Sequence, residues 1–162
     1  MDNLIEQPTD ESFMSEALRL ARKAFEQEEV PVGAVVVRQG RIIARASNQV
    51  EMLKDATAHA EMLAITQAEA AVGDWRLNDC DLYVTKEPCP MCAGAIVHVR
   101  IRRIIFGCAD PRGGAAGSAM NLLQMPGLNH RSEITSGVLA AECASLLQSF
   151  FQARRRADLP DA

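Results

Sequence analysis

Apolar residues recur three or four positions apart at Phe13, Ala17, Leu20, Ala21, Ala24 and Phe25, with Glu16, Arg19, Arg22, Lys23 and Glu26 between them. That period predicts an amphipathic helix, ended by Pro31. Val32 to Arg38 and Arg41 to Ser47 are rich in Val and Ile and are separated by Gln39-Gly40, which predicts a β-hairpin. Residues 58–71 are strong helix formers closed by Gly73, and Leu82-Tyr83-Val84-Thr85 reads as a short buried strand. A second helix follows Pro88-Cys89-Pro90, because proline is tolerated where the first helical N–H has no partner. Ile101 to Phe106 predicts a strand stopped by Gly107. The Gly- and Pro-punctuated segment 111–130 reads as a long connection with at most a short helix at 118–125. A short strand near Ile134 and a helix from Leu139 to Arg155 complete the chain, the helix with Leu139, Cys143, Leu146, Leu147, Phe150 and Phe151 on one face. Helices and strands alternating after an initial hairpin imply an α/β fold, a mixed sheet between helices.

Composition narrows the class. With 162 residues, 48% hydrophobic and 23% charged, the chain fits one globular domain. There is no internal repeat or linker to divide it, and no apolar run reaches the ~18 to 20 residues a membrane span needs. The acidic start (Asp2, Glu6, Asp10, Glu11) lacks the features of a secretory signal, so the cytoplasm is the expected location. Thiols stay reduced there, and an odd count of five cysteines points to metal binding, catalysis or burial, not disulfides. The formal net charge of −4 weighs against a nucleic-acid partner only as an average. Residues 1–99 carry 9 Lys+Arg against 16 Asp+Glu, a net of −7, while residues 100–162 carry 8 against 5, a net of +3. Segregation of this kind points to a polyanion on the basic side.

Candidate chemistry concentrates at two helix starts, His59-Ala60-Glu61 and Pro88-Cys89-Pro90-Met91-Cys92. Cys89 and Cys92 stand three apart in a first helical turn, where the dipole and unpaired N–H groups favour thiolates, the form that zinc binds. A neutral His59 makes three ligands, one short of a closed structural site, and so leaves room for water. Residues two apart do not share a helix face, so Glu61 joins His59 only because both lie in the first turn. A carboxylate beside such a water can take its proton and return it to the substrate. His98 as a fourth ligand is disfavoured, since it falls about 9 Å along the helix beyond Cys92. Cys80, Cys108 and Cys143 sit in apolar settings and read as buried thiols.

H-x-E followed by P-C-x-x-C resembles the signature of zinc nucleobase deaminases. The motif alone leaves cytidine, cytosine, guanine, riboflavin-pathway and tRNA adenosine deaminases open. Longer stretches narrow it: EVPVGAVVV at 29–37, DATAHAEMLAI at 55–65, LYVTKEPCPMCAGAIVHVRI at 82–101, FGCADPRGGAAGS at 106–118, PGLNHR at 126–131 and FFQARRR at 150–156 resemble the bacterial tRNA adenosine deaminases. The resemblance runs from about Phe13 to Arg156 and implies a single deaminase domain with its core at about 13–156, a three-layer α-β-α fold with a mixed five-stranded sheet, cytidine-deaminase-like. It implies zinc-dependent deamination of adenosine to inosine at the wobble position of an anticodon loop by a homodimer, with zinc on His59, Cys89 and Cys92 and Glu61 shuttling protons. It further implies base contact by Asn48 and RNA contact near the target by Asp110. A basic, partly aromatic surface suits single-stranded RNA, and Arg112, Arg131, Phe150, Phe151, Arg154, Arg155 and Arg156 are the candidates. Two readings remain beside it: a free-base deaminase such as a guanine deaminase, and a non-catalytic, zinc-stabilised RNA-binding module.

Overall fold

The computed structural model describes residues 7–158; Asp2 and Glu6 of the acidic start lie outside them. Among these residues the order is α1 (Asp10–Glu26), β1 (Gly33–Arg38), β2 (Arg41–Ser47), α2 (Val50–Leu53), α3 (Ala60–Val72), β3 (Cys80–Lys86), α4 (Pro90–Val99), β4 (Arg103–Cys108), β5 (Glu133–Thr135) and α5 (Ala140–Ala157). The strands lie in the order β2-β1-β3-β4-β5. β1 runs antiparallel to β2 and β3, and β4 runs parallel to β3 and β5, so the expected mixed sheet forms. α1 and α5 pack on each other and on the sheet, α3 packs on the opposite side of the sheet with α4 against it, and the two pairs do not meet, which makes three layers.

Local chemistry explains most of the elements. Thr9 caps α1 through a reciprocal pair: the Ser12 N–H donates to Thr9 Oγ1 at 3.2 Å and the Thr9 N–H to Ser12 Oγ at 2.9 Å. The apolar stripe of α1 then lies on β1 so closely that a Cβ at Gly33 would stand 1.9 Å from the Ala17 carbonyl oxygen. Gln39 and Gly40 both take positive φ, the conformation a two-residue hairpin turn needs. Asp10 ties the start of α1 to the sheet, accepting from the Tyr83 hydroxyl at 2.6 Å and from the Arg103 guanidinium. Among the described residues no helix is long and apolar enough to cross a membrane.

The structure adds detail that the pattern did not give. Gly107 does not stop β4 but lies inside it, because a Cβ there would come 2.5 Å from Cys143 Sγ of α5 and 2.6 Å from the Thr85 carbonyl oxygen. No helix forms at 118–125, which is a series of turns. The N–H groups of Ala116 and Ser118 there are drawn to the Glu87 carboxylate and that of Gln124 to Asn121 Oδ1. Four-residue α2 carries no capping side chain of its own and is instead held by Glu29, which accepts from the Glu51 N–H at 2.6 Å and the Met52 N–H at 3.2 Å. On α5, Phe150 faces the core and Phe151 faces outward, 43% exposed.

Candidate active site

His59 and Cys89 are the residues immediately before α3 and α4, both in extended backbone, and neither uses its side chain to cap its own helix. Packing of α3 against α4 brings those two starts together. His59 Nδ1 lies 3.4 Å from Cys92 Sγ and 3.6 Å from Cys89 Sγ. All three donor atoms lie within 4.8 Å of one another, close enough to hold a metal ion. Cys89's thiol is lowered to about 4, chiefly by the hydrogen bond it accepts from Cys92, with His59 adding to the effect against the cost of burial. Cys92 is pushed up by that same bond, by burial and by the Glu61 carboxylate.

Glu61 occupies the first turn of α3, buried, on the wall of a cavity of about 600 Å³ that His59 and Cys89 also line. Desolvation pushes its carboxyl up, opposed by its own backbone N–H and by His59. A carboxyl raised in this way suits a group that accepts and returns a proton. Asn48 lines the same cavity, and its Oδ1 accepts the Ala60 N–H at 2.8 Å, supplying the cap that His59 does not. With the oxygen so engaged, the Asn48 amide group keeps its two N–H donors for the cavity.

The other sequence candidates divide. Phe150, Phe151 and Arg154 line the cavity, with the Arg154 guanidinium 5.0 Å from the Phe150 ring centroid and donating to the Glu28 carbonyl at 2.7 Å. Arg112, Arg131, Arg155 and Arg156 are exposed and lie outside its lining, and His98 is exposed in the last turn of α4. Asp110 is also outside the lining; its Oδ1 accepts from the N–H groups of Arg112 and Gly113, and its Oδ2 lies 3.3 Å from Lys86 Nζ. Cys80, Cys108 and Cys143 are buried thiols, and burial is the chief cause that lifts Cys80 to about 11 and Cys143 to about 12.

The profile of the MafB19-like deaminase family matches residues 9–155. A tRNA-specific adenosine deaminase of Bacillus subtilis is 52% identical over 147 residues, covering 91% of each chain. This chain belongs to the tRNA-specific adenosine deaminase family. A second such deaminase, from Agrobacterium fabrum, is 47% identical over 146 residues, 90% of this chain and 96% of its own. A solved structure from work on A-to-I editing by tRNA:A34 deaminases at the wobble position superposes with a TM-score of 0.81 at 48% identity, over 83% of this chain and 98% of that one. The guanine deaminase of Nitrosomonas europaea reaches 0.77 at 25% identity, over 88% of this chain and 84% of its own.

Glu29, Lys86 and Glu87 lie on the cavity wall of this family member and escaped the sequence reading. The Glu87 carboxylate accepts from the N–H groups of Asp110, Ala116 and Ser118 and from the Ser118 hydroxyl, and so folds the glycine-rich loop over the end of β3. Glu29 and Glu87 are 1% and 2% exposed. The available signal was an acid at the margin of an apolar run, in EVPVGAVVV and TKEPC, which marks a buried and bonded carboxylate as readily as a solvated one.

Proposed function

We infer that this chain deaminates adenosine to inosine at the wobble position of a tRNA anticodon loop, with zinc held by His59, Cys89 and Cys92. The observation that carries the reading is the buried Glu61 beside a three-donor cluster on one cavity, in a chain half identical to tRNA-specific adenosine deaminases. Zinc bonds of about 2.0–2.1 Å to nitrogen and 2.3 Å to sulfur give a tetrahedron whose nitrogen–sulfur edge is about 3.6 Å. The distances of 3.4 and 3.6 Å around His59 Nδ1 fit that edge, and three ligands leave a fourth position. When bound, zinc supplies a Lewis acid that brings the pKa of water toward neutrality.

Glu61 then manages the protons. Its carboxylate takes one from the water whose oxygen bonds to C6 of adenine and passes it to the ring nitrogen. The second water proton goes the same way to the amino group as the C6–N6 bond breaks, and ammonia leaves. Asn48 offers its N–H donors to the base or ribose. Phe151 and Arg154, at the cavity, are the favoured RNA contacts of the candidate set, with Arg112, Arg131 and Arg155 placed to meet phosphates further out and Phe150 shaping the wall from the core. Asp110 is proposed to meet the RNA through the carboxylate oxygen it shares with Lys86. A single domain, a homodimer and a cytoplasmic location are part of the same proposal.

An anticodon stem-loop carrying ACG, assayed beside free guanine, cytosine and adenosine, tests the activity. Inosine formed in the RNA alone is expected; turnover of guanine alone rejects the reading. Sedimentation equilibrium tests the dimer.

A further inference from the structure

The wall of the cavity is acidic, with Glu29, Glu51, Glu61, Glu87 and Asp158 on it against Lys86 and Arg154. An acidic wall repels a polyanion unless its carboxylates are occupied. Glu87 takes three backbone N–H groups and a hydroxyl, and Glu29 takes the N–H groups of Glu51 and Met52, so two of the five charges are turned inward to the chain's own dipoles. The two cations differ as well. Arg154 is already placed on the Glu28 carbonyl and over the Phe150 ring. Lys86, at the end of β3, has its side chain 33% exposed, and among the described residues its ammonium meets one partner, Asp110 Oδ2. That carboxylate is itself shared with two backbone N–H groups. An ammonium has three donors.

We propose that Lys86 binds a backbone phosphate of the RNA beside the nucleotide whose base enters the cavity. The inference rests on the reading of RNA as substrate. A base seated in the cavity leaves its flanking phosphates outside, because a phosphate is too costly to desolvate. Lys86 has donors to spare and, unlike Arg154, is not tied to a backbone carbonyl, while Asp110 holds its long side chain in place.

The test is the salt dependence of stem-loop binding, measured by fluorescence anisotropy on the full chain. Each phosphate contact to a single strand contributes about 0.7 to the slope of log Kd against log salt. Lys86→Met is expected to bind several-fold more weakly and to lose about 0.7 of that slope. Lys86→Arg should keep the wild-type slope, as should Lys23→Met on the exposed face of α1. An unchanged slope for Lys86→Met overturns the proposal, and so does a fall in kcat at unchanged slope, which would make Lys86 a modifier of the catalytic groups. If the wild-type chain binds the stem-loop but forms no inosine, the activity reading fails and Lys86 is still judged by its slope; if it does not bind, both fail.

Discussion

Glu61 and Glu87 are buried carboxylates on one cavity, and their neighbours give them opposite work. Glu87 accepts from three N–H donors and a hydroxyl, so its work is to hold the loop. Glu61 is raised by desolvation and stands next to the donor cluster, which suits a group that passes protons. Glu61→Gln should therefore lower kcat by about 10²- to 10⁴-fold while metal content and stem-loop affinity stay as in the wild type. A fully active Gln variant would rule out Glu61 as the shuttle and favour a non-catalytic module. His59, Glu61, Cys89 and Cys92 were legible in the chain because each pair is local, two or three residues apart at a helix start where position alone sets the side-chain direction. Glu29 and Glu87 were not, because the groups that justify their burial lie 22 to 31 residues away.

At the scale of elements, α1 and α5 each meet the sheet closely at a glycine, Gly33 and Gly107, and α1 is tied by charge as well. Backbone approach holds α5: Gly107→Ala would push a methyl into Cys143 Sγ and the Thr85 carbonyl oxygen. Urea unfolding should show a loss of about 1–3 kcal/mol, with Cys143→Ala recovering only part of it, since the carbonyl cannot move aside. Charge also holds α1. The Arg103 guanidinium, with the Tyr83 hydroxyl, keeps the Asp10 carboxyl below its ordinary value against the cost of burial. A carboxyl lowered by folding adds stability that is present above its unfolded pKa, about 3.9, and is lost as pH falls through the folded value. Asp10→Asn should thus melt at a lower temperature than wild type at pH 7, with the gap shrinking below about pH 4. Equal melting temperatures at pH 7 would show that the pair adds nothing. The periodic helices and the hairpin could be read from their pattern, whereas Gly107 was misread as a stop: a glycine in a strand looks the same whether it ends pairing or admits a neighbouring helix.

Across the molecule, the fold decides where the basic residues of the second half go: Arg102 and Arg103 pair with Asp81 and Asp10, and the arginine run of α5 is brought to the cavity. Arg154, Arg155 and Arg156 form the last turn of α5, and that turn borders the cavity. Arg155→Ala should flatten the salt dependence of stem-loop binding by about 0.7 with an unchanged melting temperature. Arg154→Ala should also lower that temperature, because its guanidinium anchors α5 to the Glu28 carbonyl. An unaltered slope in both would mean that the arginine run is only a solvated helix end. What the sequence determined by itself is what short-range spacing and period encode: the succession of elements, the donor triad, and the acid two residues from the histidine. Tertiary structure alone decided which acids turn inward, that Phe150 is core and Phe151 exposed, that Asp110 pairs with Lys86, and that α5 borders the cavity begun by α3 and α4. Those outcomes depend on contacts between distant segments, whose free energies are set by burial and bonding that no local window of residues contains.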